Sequence, residues 1–445
     1  MRRTRWFSAF AALMAASGAA SGTVAGTAPA SAAPADACGN AAKPGAVVRE
    51  TPWTQRVLGA DRVWPMSTGN RVTVAVLDSG VDAAHPQLAD QVLPGFDFLR
   101  NAAGADFDCT SHGTAVASLI AAKHVNGIGF EGLAQGVKIL PLRLTEHGDN
   151  SSGAAVTPGV FAQAIRYAAD NGAKILNISL TLDADYPVVA EAVDYAVKTK
   201  GCLVVASVGN HHKEPAAPAS PVLGSRGGPA ADRPSYPAAY PGVLGVGAVN
   251  EDGTRVDESQ VGSYVDLVAP GGNVLAATRV RGHEYWKGTS MAAPIVSAAA
   301  ALVWSLSPQL RNSDVARRLQ VTSDQLPGQV RGPEFGYGMV NPYRAVTEQL
   351  PTTDKATPDP IPPVAHDPAA AARLAAWDGW SRTAVVVGLV VLMAALGGAL
   401  LRFAARRGRA RRWRPGERPR PRRVPHDPDE EPEDVFFALP RRRSS

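Results

Sequence analysis

The sequence predicts an α/β fold, a mostly parallel β-sheet flanked by helices, with one transmembrane helix near the C-terminus. Three observations lead there. Short, continuously apolar runs such as 72–77 and 203–208 alternate with helical patterns, and strands buried on both faces belong to parallel sheets whose crossovers are helices. The 445 residues, 45% of them hydrophobic, are enough for one large core with accessory segments, since single cores rarely grow past roughly 300 residues. Residues 384–401 form an unbroken apolar run of eighteen, close to the roughly 20 that cross a bilayer as a helix.

From the N-terminus, Arg2, Arg3 and Arg5 precede an apolar stretch from Trp6 to about Ala16, then small residues through Ala30-Ser31-Ala32. That is the outline of an export signal, so residues 1–32 are expected to be removed. An arm follows at 33–54, and a helix over 51–65 is expected to open the main domain, 55–348. Within it, strands are predicted at 72–77, 138–144, 175–180, 203–208 and 243–249, and helices at 113–122, 160–171 and 187–199. Residues 211–234, rich in Pro, Ala, Gly and Ser without apolar periodicity, read as a long loop, a feature that compact domains usually keep for function.

Beyond the domain, the prolines of 349–382 mark an extended stalk. The span is placed at 383–405 and the tail at 406–445, whose composition is that of a disordered segment. Residues 402–445 hold fourteen Arg against seven Asp and Glu, a net of +7 against +5 for the whole chain, so the remainder stands near −2. That excludes a nucleic-acid surface on the main domain, because phosphate binding needs clustered cations on the folded face. Arg402, Arg406 and Arg407 directly after the apolar run 384–401 put the C-terminus in the cytoplasm and the main domain outside.

There are three cysteines. Cys202 lies in an apolar run that reads as a buried strand, where a free thiol is common and inert. An exported domain sits where disulfides persist, so Cys38 is expected to pair with Cys109 and tie the arm to the domain.

Three segments set a reactive residue among small ones at the edge of an apolar element: Asp78-Ser79-Gly80, Ser111-His112-Gly113-Thr114 and Gly288-Thr289-Ser290-Met291-Ala292. A serine hydroxyl is a weak nucleophile. It needs a base within hydrogen-bond reach and a carboxylate that fixes the base's tautomer, and His112 and Asp78 supply those groups for Ser290. Asp78 follows a buried strand, where catalytic groups gather in open α/β sheets, and His112 and Ser290 each open a helix. Asp82 and His85 form a polar turn. No cluster has metal-ligand spacing, so no metal or cofactor is expected.

In the order Asp, His, Ser, these segments resemble the subtilisin-like serine peptidases, and the likeness covers roughly residues 55–348. The segments 132–138, 235–240 and 269–271 are similar to that family too. The resemblance implies Asn210 as oxyanion donor, with Ser179, Leu180 and Gly209 binding the substrate backbone; Thr181 stands where the family usually has Gly. A peptide would add along 177–180 as an extra strand. The short arm is too small for a folded pro-domain. Together with the stalk, span and basic tail, it resembles the mycosin branch, membrane-anchored peptidases linked to type VII secretion. That implies exported proteins as substrates and the secretion membrane complex as partner. Two functions follow: an endopeptidase trimming exported proteins, or a docking component of that complex whose peptidase activity is secondary. An esterase is disfavoured because the G-x-S-x-G elbow is missing.

Overall fold

In the computed structural model, residues 38–39, 41–146, 156–212, 232–326, 331–350, 388 and 393–410 are described. The export signal, the start of the arm, most of the 211–234 loop, the stalk, much of the span and the tail beyond 410 lie outside the described residues. The chain divides into two units, Met1–Asp354 and Lys355–Ser445.

The first unit opens with α1 (Trp53–Val57) and α2 (Ala60–Val63) rather than one helix over 51–65. Gly59, at φ +58°, takes the left-handed conformation that ends a helix, and the chain restarts at Ala60. There follow β1 (Thr73–Asp78), the short β2 (Phe96–Asp97) and β3 (Ala102–Ala103), then α3 (His112–Ala121) and β4 (Lys138–Arg143). Next come α4 (Pro158–Asp170), β5 (Ile175–Ile178), α5 (Pro187–Asp194, continued by a π-helical turn over Tyr195–Thr199), β6 (Leu203–Ser207) and β7 (Val243–Val249). The unit closes with β8 (Leu267–Pro270), β9 (Val274–Ala277), β10 (His283–Trp286), α6 (Thr289–Leu306), α7 (Asn312–Val321) and α8 (Pro342–Thr347).

Eight strands form one sheet in the order β3-β2-β4-β1-β5-β6-β7-β8, parallel except for the β2–β3 pair. Along each central strand, alternate side chains enter two cores. Val74, Val76, Val205 and Val246 join α3 and α6 on one face. Ala75, Leu77, Val204 and Ala206 join α4 and α5 on the other. Both faces being covered is why these strands read as unbroken apolar runs.

The chain leaves β1 for β4 on one side and then builds β5 to β8 on the other, so strand order reverses at β1. Ligands bind in the crevice at such a switch point, outside the carboxyl ends of the strands. Asp78 is the last residue of β1.

The β9–β10 hairpin was not legible as apolar periodicity because β10 is half exposed. It receives the arm: Ala46 bridges His283 in antiparallel fashion, and the Gly45 N–H donates to Thr278 Oγ1 at 2.7 Å. A disulfide joins Cys38 to Cys109, with Cα atoms 5.4 Å apart, closing a separation of 71 residues. In the second unit, residues 393–410 are helical.

Candidate active site

Asp78 is fully buried at the end of β1. Its Oδ1 accepts the Ser79 N–H at 2.8 Å and lies 2.7 Å from His112 Nδ1. An ionised carboxylate only accepts, so Nδ1 carries the proton and Nε2 is left as the basic nitrogen. His112 is the first residue of α3, which reaches β1 closely because the next residue has no side chain. A Cβ on Gly113 would stand 2.1 Å from the Gly80 carbonyl oxygen and 3.2 Å from Asp78 Cβ. The His112 ring meets Trp286 edge-on, centroids 5.9 Å apart. Trp286 ends β10, four residues before Ser290, and α3 and α6 pack against each other.

Ser290 is the second residue of α6 and only 7% exposed. Pro294 within that helix has no N–H, so the Ser290 carbonyl lacks its partner four residues on. Ser179 Oγ takes that place, donating to Ser290 O at 3.0 Å. Ser179 Oγ in turn accepts from Asn177 Nδ2 at 3.1 Å, and Asn177 Oδ1 accepts from Ser297 Oγ at 2.8 Å. The end of β5 is thereby fastened to the helix that carries Ser290. The Ser179 and Leu180 side chains are both buried.

Asn210 has its amide orientation set by its neighbours. Oδ1 accepts from the Thr289 N–H at 2.9 Å and from Thr289 Oγ1 at 3.0 Å, and Thr289 Oγ1 accepts from the Gly209 N–H at 3.2 Å. With the oxygen engaged by two donors, Nδ2 is the free donor end. It stands over Gly288: a Cβ there would lie 3.1 Å from Asn210 Nδ2 and 3.4 Å from Ser290 Oγ. Gly288, at φ +137°, leaves that space open and adopts a backbone that L side chains rarely take.

Next to this site is a cavity of about 740 Å³ whose lining includes Thr181, Leu182, Asp183, Tyr186, His211 and Gln260. Thr181, flagged by the sequence for its size, therefore faces it. Asp82 and His85 are engaged with backbone: Asp82 accepts the Ala84 and Val280 N–H groups, and His85 Nδ1 accepts that of Gln87. Among the described residues no group of three His, Cys, Asp or Glu side chains is placed to hold a metal. Burial pushes the Cys202 thiol up to about 11, which leaves it unreactive at neutral pH.

Sequence reasoning missed Asp108. It is 2% exposed, and its carboxylate accepts from Ser79, Thr110, Ser111 and Thr114. Burial pushes its pKa up, the Thr114 and Thr110 donors oppose this, and nearby Asp78 adds to the rise. The Thr110 and Ser111 N–H groups make a local turn about Asp108 that the sequence could suggest, but the contacts to Ser79 and Thr114 form only in the fold.

A serine at the head of a buried helix, in a fold that also pairs a histidine with an aspartate at the switch point of a parallel sheet, is what the class of subtilisin-like serine peptidases would present. The chain belongs to the subtilase family, whose profile matches residues 69–339. It is 31% identical over 405 residues to mycosin-1 of Mycobacterium tuberculosis, a match covering 82% of this chain and 87% of that protein. With the thermophilic serine proteinase of a Bacillus species it shares 36% over 292 residues, which is 64% of this chain and 65% of that protein. Among solved structures it is similar to MycP1 of the ESX-1 type VII secretion system: TM-score 0.61, 27% identity, covering 72% of this chain and 92% of that one. The MycP3 protease of the ESX-3 system gives 0.59 and 29%, covering 70% and 94%.

Proposed function

We propose that this chain is a membrane-anchored serine endopeptidase that hydrolyses peptide bonds in exported proteins, working with a type VII secretion system. His112 Nε2 takes the Ser290 hydroxyl proton as Oγ attacks the scissile carbonyl carbon, and Asp78 holds the imidazolium that forms. The oxyanion receives hydrogen bonds from Asn210 Nδ2 and the Ser290 N–H. Collapse breaks the C–N bond, with His112 returning the proton to the leaving amine. Water, deprotonated by His112, then cleaves the ester and regenerates Ser290. The peptide reaches Ser290 by pairing its backbone along 177–180, beside the cavity that Thr181 lines.

The observation that carries this reading is the Asn210 amide, locked by Thr289 so that its donor end faces the space above Gly288 and Ser290. A helix cap or a turn residue has no need of that arrangement. The anchor rests on the helix at 393–410, where Met393, Leu396, Leu400, Leu401 and Phe403 are exposed and Arg402, Arg406 and Arg407 fall in the second half. Exposed bulky apolar groups flanked by arginines suit a span with its C-terminal end in the cytoplasm and the catalytic unit outside. The secretion role comes from the likeness to mycosin-1, which extends over 405 residues, well past the 69–339 segment common to the family.

That extended likeness also favours a second reading, in which the chain serves the secretion complex as a docking component and cleavage is secondary. The test for both is a deletion strain complemented with wild type or Ser290→Ala, scored for secretion and for trimming of the exported proteins. Trimming lost while Ser290→Ala is stably expressed supports the peptidase. Trimming undiminished by Ser290→Ala refutes it, and secretion retained without trimming separates docking from cleavage.

A further inference from the structure

Helix α3 begins without a cap of its own. Its first-turn N–H groups have no partners within the helix, and Ser111, at φ +75°, makes no capping bond to them. The Ser111 hydroxyl instead accepts from the Arg279 N–H at 3.0 Å. Caps arrive from elsewhere in the chain. The Gly113 N–H donates to Ser79 Oγ at 2.9 Å, and the Thr114 N–H to Asp108 Oδ2 at 2.9 Å.

The Asp108 carboxylate is the point where these contacts meet. Oδ2 also accepts from Thr114 Oγ1 at 2.7 Å, while Oδ1 accepts from Ser79 Oγ at 3.0 Å and from the N–H groups of Thr110 and Ser111 at 2.9 and 3.1 Å. Ser79 relays the contact onward, since its own N–H donates to Asp78 Oδ1. A closed circuit results: Asp108 to Ser79, Ser79 to Asp78, Asp78 to His112, and one helical turn from His112 through Thr114 back to Asp108. The node is braced from outside by Arg279 Nε, which donates to Asp108 O at 2.9 Å, and by the disulfide at the next residue.

We propose that Asp108 is a positioning residue of the active site, holding the first turn of the His112 helix against the Asp78 strand end so that the base is aimed at Ser290. This rests on the triad assigned under the proposed function. Both carboxylate oxygens face donors only, so an amide of the same shape must turn its NH₂ group against a donor and break the circuit on one side. A helix start that slips by a fraction of an ångström carries His112 with it.

The experiment uses the full chain in detergent. Labelling of wild type but not Ser290→Ala by a fluorophosphonate checks the triad separately; failure there is a failure of the functional reading and not of the role of Asp108. Asp108→Asn, Ser79→Ala and their double variant are then compared for probe labelling rate, kcat, KM and Tm. Displacing a catalytic group by about 1 Å can cost roughly 10²-fold in rate, so Asp108→Asn should lower kcat and labelling about 10- to 100-fold with KM within about twofold. The double variant should be no slower than the slower single one, because both cut the same circuit. A lowered Tm with kcat within about twofold of wild type would reduce Asp108 to a stabilising residue and overturn the proposal. Should Asp108→Asn fail to fold, Ser79→Ala decides alone: a lowered kcat at unchanged KM supports the circuit, and an unchanged kcat refutes it.

Discussion

Helix α6 and the first half of the helix at 393–410 are both apolar, yet their surroundings are opposite. Sixteen of the eighteen residues of α6 are buried, between α3 and the strands β5 to β8. The large apolar side chains of 393–410 are exposed, Met393 at 68% and Leu401 at 72%. Length and composition alone would pass α6 as a membrane span: it is the one helix among the described residues of the required length and hydropathy, yet it is 89% buried. Burial, not side-chain size, separates the two. Ala292, Ala293, Ala298, Ala299, Ala300 and Ala301 let α6 lie close to the sheet, whereas 393–410, equally rich in Ala and Gly, keeps its Leu, Met and Phe side chains exposed. The apolar surface of α6 is used inside the protein, and the proposed chemistry falls at one end, the N-terminus with Ser290.

The comparison is broken most severely by an unpaired charge. Ala300→Lys in α6 should leave the catalytic unit unfolded, since an uncompensated buried charge costs several kcal/mol against a total stability of about 5–15 kcal/mol. Leu400→Arg should instead leave peptide hydrolysis and Tm unchanged while reducing the membrane-bound fraction. Circular dichroism and membrane fractionation of the two variants check this pair, and equal unfolding in both would erase the distinction. At the working end of α6, Asn210→Ala should lower kcat about 10²- to 10³-fold with little change in KM, a magnitude that comes from subtilisin. Steady-state kinetics on a peptide substrate measures it.

Smaller effects come from the arm. Replacing Cys38 and Cys109 by Ser releases a constraint across 71 residues and should cost about 2–5 kcal/mol in denaturant unfolding. His283 provides a pH test. Its Nε2–H reaches Gln87 Oε1 at 2.7 Å, and its Nδ1 accepts from the Val48 N–H in the arm at 3.4 Å. Burial, with His85 nearby, lowers its pKa from 6.5 to about 4. The unfolded chain therefore binds the extra proton first. The stability from keeping His283 neutral is complete above about pH 6.5 and is lost progressively as pH falls toward about 4. His283→Gln should flatten the Tm profile over that window.

Much of this was readable in the sequence, for definite reasons. Strands β1 and β4 to β7 are covered on both faces, so their runs are unbroken. Asp78, His112 and Ser290 stand beside Gly80, Gly113 and Gly288, where Cβ atoms would collide with the Phe107 and Gly80 carbonyl oxygens or crowd the Asn210 amide. The isolation of Cys202 in an apolar run left Cys38 and Cys109 to pair. The β9–β10 hairpin was hidden because β10 is half exposed and carries little apolar periodicity. The two-residue β2 and β3 carry no periodicity at all. Asp108 read as no more than a turn residue because its local donors at 110 and 111 are ordinary for an Asp, and the link to Ser79, 29 residues away, exists only in the fold. The structural use of the Ser179 hydroxyl could have been suspected from Pro294, which guarantees an unpaired carbonyl at Ser290.

The measurement that tests the central claim most directly is the mapping of a fluorophosphonate adduct by mass spectrometry on the purified full chain, comparing wild type with His112→Ala and Ser290→Ala. The account predicts a single adduct on Ser290 in wild type, slowed by orders of magnitude in His112→Ala and absent in Ser290→Ala. An adduct on another residue, or labelling of Ser290 that does not depend on His112, would contradict it.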